Sequence, residues 1–528
     1  MSRRSWTLVA VVLGTGIVFL DSTVVNVALS AIGRELPSTL VATLEGQSYV
    51  VYGYLLSLSA LLILAGSLAD LYGRRRMFLL GLGGFGISSV LCGVAPNMEL
   101  LILFRLVQGA FGALLVPTSL AIITATFEGP ERGRAFGIWA AASGATTLLG
   151  PPLGGFLVDA ISWRAVFLIN VPLVLVALYA GAAHVVESRD RDAEGRFDFL
   201  GAAVVAIAVG GLSFGAIRGQ EQQWSDPIAW IALAVGAVAM ALVPPLMILR
   251  PNPLVPPELF KSRNFTVVNI STLLIYGALY VYGYLQAVFV QGALQYTALA
   301  AGLVGLPISI LLTFFSTSVG TIAGRYGPRW FMTIGPALMA AGLFWLVRIP
   351  ADSTPWRASL AAPATLVPPV AYLVDFLPGA LVFAIGLTCL VAPLTTALMS
   401  SVPERNSGLA SAINNAISRV GPLVAGALIF VAVTASFYGG LKQRVPSLNV
   451  DAADVRRTLA PLNPPKAGVP ASVAEAARES SADAFHLAMA IAASLCLAGA
   501  VANGIGIQNP AESVASAEGE SARGAAAA

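Results

Sequence analysis

Uninterrupted apolar runs of about twenty residues recur from one end of this chain to the other. A helix needs about 20 such residues to cross the hydrocarbon core of a bilayer. The runs lie at 6–29, 46–68, 77–95, 99–124, 135–158, 165–185, 199–217, 228–249, 265–290, 300–322, 330–347, 376–400, 408–436 and 484–502. They predict an all-α integral membrane protein with about 14 spans and both termini on one side. Composition agrees, because 57% of the 528 residues are hydrophobic and only 11% are charged. An ordinary soluble domain is about 25% charged. The first run, although preceded by Arg3 and Arg4, is too long for a signal peptide and contains Asp21, so it reads as a retained span.

Short loops set the orientation. One side holds Arg3, Arg4, Arg74, Arg75, Arg76, Arg132, Arg134, Arg189, Arg191, Arg196, Arg250, Lys261, Arg263, Arg325, Arg329 and Arg405, against Arg34, Arg164, Arg218, Arg348 and Arg357 on the other. The richer side is expected to be cytoplasmic, with both termini, in a cell membrane. Segment 437–483 mixes bases, acids and prolines and reads as an external loop with short surface helices near 452–459 and 471–479. Tail 509–528, made of small and polar residues, is expected to be disordered and cytoplasmic. The net charge of +3 is scattered over loops, which excludes nucleic acid as a partner. Cys92, Cys389 and Cys496 sit far apart inside apolar runs, without metal spacing, and read as packing residues. No Walker A pattern, metal set or nucleophile elbow occurs, so no cofactor and no enzyme activity are implied.

The loop GSLADLYGRRR (66–76) recurs in damaged form as GTIAGRYGPR (320–329). The alignment sets Gly66 on Gly320, Asp70 on Gly324, Gly73 on Gly327 and Arg75 on Arg329. Each loop follows the second run of a set of six. The expected organisation is therefore an N-terminal six-helix bundle (1–197), an inserted helix pair (198–250) and a C-terminal six-helix bundle (251–508). Parallel halves with substrate handled between them near the midplane are common among secondary transporters.

GSLADLYGRRR resembles the cytoplasmic loop motif of the major facilitator superfamily, and the span count resembles its fourteen-span drug:proton antiporter branch. LDSTVVNVAL (20–29), LFRLVQGAFGA (103–113), GPPLGG (150–155) and SGLASAINNAISRVG (407–421) are similar to that branch's first, fourth, fifth and thirteenth spans. The resemblance implies a major-facilitator-type fold exporting amphipathic small molecules against protons by alternating access. A functional monomer, with protons, substrate and lipid as its partners, is expected. A symporter or facilitator of the same fold and a non-transporting membrane sensor are the alternatives.

Individual residues carry finer expectations. Asp21 lies deep in the first run, where a charge is functional by default. Desolvation and a nearby cation push carboxyl protonation in opposite directions, so changing access would load and release a proton. Arg105 lies at similar depth and, in the implied fold, faces Asp21; hydrogen-bonded helix packing, with Asn26 beside Asp21, is the bland alternative. Asp70, Arg74, Gly73 and Gly66 are expected to gate, since an acid at a helix end can accept hydrogen bonds from another helix's N-terminus. The resemblance puts that partner near Ser407; a mere topology anchor is the alternative. Gly150, Pro151, Gly154 and Gly155, with Pro152, form an expected hinge or seal, with a plain helix kink as the alternative, although the branch's usual first glycine falls on Thr146. Tyr276, Tyr280 and Tyr284 share a helix face and, with Asn26, Gln108 and Asn414, are candidates for the substrate cavity or for packing. Arg419 lies inside the thirteenth run while the tenth holds no acid, which favours a single coupling acid and monovalent, neutral or anionic cargo. Asp159 and Asp375, near run ends, are expected to be solvated, and His184 and His486 are not expected to carry protons.

Overall fold

A computed structural model describes residues 2–127, 129–188, 198–250, 253, 257–402 and 407–509, without the side chains of Gly66, Asp70, Ser407 and some others. A bilayer core offers no water to free backbone groups, so each apolar run must satisfy its own N–H and C=O groups as helix. Among the described residues the only β pairing is an isolated bridge between Ser359 and Ala362. The helices are α1 (Arg3–Glu35), α2 (Thr43–Tyr72), α3 (Arg74–Gly93), α4 (Met98–Thr126), α5 (Gly129–Ala160), α6 (Ala165–Leu168), α7 (Asn170–His184), α8 (Phe199–Glu221) and α9 (Pro227–Leu249). They continue with α10 (Arg263–Gly292), α11 (Ala298–Val304), α12 (Leu306–Tyr326), α13 (Arg329–Leu346), α14 (Leu377–Ser400), α15 (Ser407–Arg444), α16 (Ala453–Thr458) and α17 (Ala471–Gly506). Among the described residues, 11 stretches are long and apolar enough to cross a membrane. Helices α2, α5 and α13, of 30, 32 and 18 residues, occupy the other expected runs.

Helices α1–α5 and α7 pack on one another, as do α10, α12–α15 and α17. The pair α8–α9 stands beside both groups. Its α8 lies against α2 of the first and α15 of the second, where Ser213 Oγ donates to the Leu423 carbonyl at 3.1 Å. Trp230, Ile231, Val238 and Ile248 of α9 point outward, as a lipid-facing helix requires.

The two repeated loops share one construction. Gly73 and Gly327 have φ of 107° and 85°, a region open to glycine and strained for other residues. Behind each, the first N–H groups of the next helix are taken by a side chain that follows the last helix of the same group. Glu187 accepts from Arg75 N at 3.0 Å and Arg76 N at 3.2 Å, and Asn509 accepts from Arg329 N at 3.1 Å. Arg75 Nη2 also donates to Ala182 O at 2.5 Å, and Arg329 Nη2 to Gly504 O at 2.7 Å. The aligned arginines thus tie equivalent loops to equivalent helix ends. Asn509, which by sequence reads as the start of the tail, belongs to the fold; 510–528 lie outside the described residues. A Cβ at Gly73 would lie 2.7 Å from Glu187 Cδ. Gly73→Ala is therefore expected to cost about 1–3 kcal/mol, read as a lower Tm of the protein in nanodiscs.

The expected external loop 437–483 is shorter than predicted, because α15 runs on to Arg444 and α17 begins at Ala471. Arg444 bridges Glu479 at 2.8 Å and Asp483 at 2.7 Å, so polar, helix-favouring sequence extends both helices past their apolar parts. The expected helix at 452–459 is α16, whereas 471–479 forms the first turns of α17 instead of a separate surface helix. The connection is packed rather than free. Leu459 and Leu462 are buried, and Asn463 exchanges side-chain hydrogen bonds with Gln47 at 2.8 and 3.0 Å, across 416 residues of sequence.

Candidate functional site

Asp21 on α1 and Arg105 on α4 meet inside the first helix group, 0% and 1% exposed. Arg105 Nη1 donates to Asp21 Oδ2 at 2.5 Å and to Gln108 Oε1 at 2.7 Å. Asp21 Oδ1 accepts from Gln108 Nε2 and from Asn170 Nδ2, each at 3.1 Å. Ser89 on α3 accepts from both amides at 3.1 and 3.0 Å and donates to the Phe167 carbonyl at 2.9 Å. One acid therefore faces three donors, an arrangement that fits an acceptor-only carboxylate. Arg105 also has somewhere to go, since its Nε donates to Val50 O at 3.2 Å and its guanidinium lies 4.1 Å from the Tyr54 ring centre. A buried pair of this kind stabilises little but is costly to break on one side only.

A second constellation joins the two helix groups. Glycines of α5 face α1 on one side, where Cβ atoms at Gly150 and Gly154 would strike Thr23 and Val24, and α11 on the other. A Cβ at Gly155 would lie 2.5 Å from Leu299 Cα, and one at Gly302 would lie 2.6 Å from the Pro151 carbonyl carbon. Glycine permits this backbone approach. Gly16 of α1 faces Thr146 at 3.3 Å from its notional Cβ, so at this crossing the small residue sits on α1 rather than α5.

A model of the family described as the Major Facilitator Superfamily matches residues 11–426. The chain belongs to that superfamily. It is 32% identical over 445 residues to the multidrug resistance protein Stp of Mycobacterium tuberculosis, covering 83% of this chain and 78% of that one. It is 31% identical over 434 residues to the tetracenomycin C resistance and export protein of Streptomyces glaucescens, covering 81% and 76%. Among solved structures, a bacterial homologue of the human lysosomal transporter Spinster aligns over 97% of this chain and 100% of its own, with TM-score 0.63 and 17% identity. This chain is thus a superfamily transporter of the major facilitator fold, a class of transporters and not of enzymes.

The remaining predicted residues of this superfamily member fall in distinct places. Tyr280 and Asn26 line a small cavity of about 10 Å³ with Ser22, Tyr54 and Arg105, roughly the room of one water. Asn26 is not the partner of Asp21; its Oδ1 is buried without a hydrogen bond. Gln108, expected in the cavity, bonds instead to the Asp21–Arg105 pair. Tyr276 is half-buried, while Tyr284 is buried against Ser48 Oγ at 3.0 Å and edge-on to Tyr52, bridging the helix groups. Asn414 donates to Asn269 at 3.1 Å and Thr272 at 2.9 Å, tying α15 to α10. Arg74 N donates to Ser188 O at 2.9 Å; the side chains of Gly66 and Asp70, and with them the expected contact near Ser407, lie outside the described residues.

Ser89, Asn170 and Glu187 are not anticipated by sequence, because single polar residues near span ends carry no local signal. Asp159 is exposed, as expected near a run end, and it also accepts from Ala298 N at 3.2 Å and Leu299 N at 2.7 Å, so α5 clasps the first turn of α11 across the helix groups. Such an exposed charge at a helix start contributes about 0.3–1 kcal/mol. In Asp159→Asn, thiol labelling of a cysteine introduced at Thr297 is accordingly expected to speed up about two- to fivefold. Asp375 is likewise engaged, accepting from Ser353 Oγ at 2.9 Å.

Proposed function

We propose that this transporter exports amphipathic small molecules in exchange for protons, with Asp21 as the proton carrier and Arg105 as its movable counter-charge. The observation that carries the reading is the enclosure of the Asp21 carboxylate by three donors, Arg105 among them, so that protonation removes the charge that holds Arg105. With Asp21 ionised, Arg105 is held. With Asp21 protonated, Arg105 is left to the contacts it already makes with Gln108, Val50 O and the Tyr54 ring, on the wall of the cavity next to Asn26 and Tyr280. Substrate and proton thereby favour different conformations, which is the requirement for exchange.

Alternating access then needs a closure at each end. At the end opposite the arginine-rich loops, the Gly150–Gly155 segment, α11 and Asp159 form one closure. At the other end, Gly66, Asp70, Gly73 and Arg74 act with the start of α15 in the second. We place the chain in a bacterial cell membrane with about 14 spans and both termini inside, acting as a monomer. The names of its relatives, a multidrug resistance protein and a tetracenomycin C resistance and export protein, support the cargo class.

The test uses purified full-length protein in proteoliposomes with an internal pH dye and an imposed proton gradient. Substrate-induced proton movement opposite to substrate supports exchange. Movement of both in the same direction would show a symporter, and substrate flux without proton movement a facilitator.

A further inference from the structure

We infer that Arg419 is a specificity-determining residue that selects amphipathic organic anions as cargo, a deepening that rests on the exporter reading above. Arg419 lies on α15 about 18 Å along the helix from Ser407, well inside the apolar part of the chain. Its side chain is among the buried charged groups, 7% exposed, and its Nε has no hydrogen-bond partner. No carboxylate of the described residues pairs with it, and the deep acid Asp21 is held by Arg105. The two deep arginines are therefore unlike. Arg105 is neutralised by Asp21, while Arg419 is a cation with no partner among the described residues. A buried cation without an anion is costly, and such a group in a transport protein is explained when the cargo brings the counter-charge.

A second orphan stands nearby in the fold. Asn26 Oδ1 on α1 is a buried acceptor without a donor, on the wall it shares with Tyr54 and Tyr280. Helix α15, which carries Arg419, packs against α2, which carries Tyr54 of that wall, so the two orphans belong to neighbouring elements of opposite helix groups. A ligand that satisfies both carries an anionic group for Arg419, a hydrogen-bond donor for Asn26 and a flat apolar body for the tyrosines.

At the end opposite the arginine-rich loops, a cavity of about 690 Å³ is lined by Arg34, Arg457 and Lys466, and the adjoining cavity, which shares them, adds Arg456 with Glu35 and Asp451, so bases outnumber acids there. Concave surfaces of one charge sign raise the local concentration of opposite charge. Exchange of a monoanion for a proton would also move two charges across the membrane per cycle in the same electrical sense, whereas exchange of a monocation would move none.

The test is equilibrium binding to the full-length protein in phosphatidylcholine nanodiscs at uniform pH, read by tryptophan quenching against empty nanodiscs. The probes are 1-anilinonaphthalene-8-sulfonate, its uncharged counterpart N-phenyl-1-naphthylamine, and the cation tetraphenylphosphonium. Wild-type protein is expected to bind the sulfonate most tightly. Arg419→Gln is expected to lose about tenfold or more in affinity for the sulfonate and less than about twofold for the uncharged probe, while Arg419→Lys keeps most of the preference. Equal losses for both naphthalene probes in a folded Arg419→Gln protein would overturn the assignment. So would a wild-type preference for the cation, which decides the matter even if the variant does not fold. Because binding at uniform pH needs no gradient, failure here is distinguishable from failure of proton coupling, which the flux assay reads separately.

Discussion

Asp21→Asn is expected to reduce proton-driven export to the level of protein-free vesicles while leaving membrane insertion and helix content unchanged. Asparagine keeps the shape of the side chain and still accepts one hydrogen bond, so Arg105, Gln108 and Asn170 stay near their places. What is lost is the only group in that cluster that can exchange a negative charge for a proton. Arg105 then stands buried without its anion, although Gln108 Oε1, the Val50 carbonyl and the Tyr54 ring still engage it. The accompanying destabilisation is expected near 1–3 kcal/mol, below the loss for a buried ion left with no partner at all. Counterflow, in which labelled substrate exchanges for unlabelled substrate without net proton movement, should persist. Proton-driven export at wild-type rates in Asp21→Asn would remove Asp21 from the coupling step.

The second large effect is expected from Gly155→Leu. A Cβ at this position would lie 2.5 Å from Leu299 Cα and 2.7 Å from the Ala298 carbonyl carbon, both main-chain atoms that cannot rotate away. The clash is relieved only if α11 moves off α5. Overpacking of this sort costs about 1–3 kcal/mol, which corresponds to a shift of roughly 5- to 150-fold between conformations with these ends together and apart. Spin labels on the ends of α5 and α11 should report a longer distance, and export should fall more than about tenfold. Gly155→Ala should move both readouts in the same direction by less. An unchanged label distance together with normal export would show that this contact is packing and not a closure.

Much of the candidate site is legible in the amino-acid order. Asp21 and Arg105 stand out because acids and arginines are rare inside apolar runs, and a similar depth in two runs invites pairing. Gly73 and Gly327 are legible because a motif that occurs twice asks for the same backbone twice, and both take positive φ. Other features have no such signal. Glu187 and Asn509 cap equivalent helices, yet one is an acid and the other an amide, each far in sequence from the residue it serves. Asp159 sits at the end of a run, where solvation is the reasonable expectation, and its partners lie 139 and 140 residues away. Gln108 reads as a cavity residue because it is polar and deep, and only the neighbouring helices decide that it faces Asp21.

Length, hydropathy and the demands of an unsatisfied backbone are enough to make this chain a set of membrane helices. All three act within a single run, so the order of residues along that run carries them. Which polar side chains spend their hydrogen bonds on one another, and which are left over, is settled only when the helices pack. That choice depends on distances between helices remote in sequence, where a shift of about one residue turns a side chain some 100° around the helix and changes its partner. Arg105 and Arg419 are the same residue type in similar apolar surroundings. One is answered by Asp21 and the other is not, and it is the packing of α1 against α4 that makes the difference.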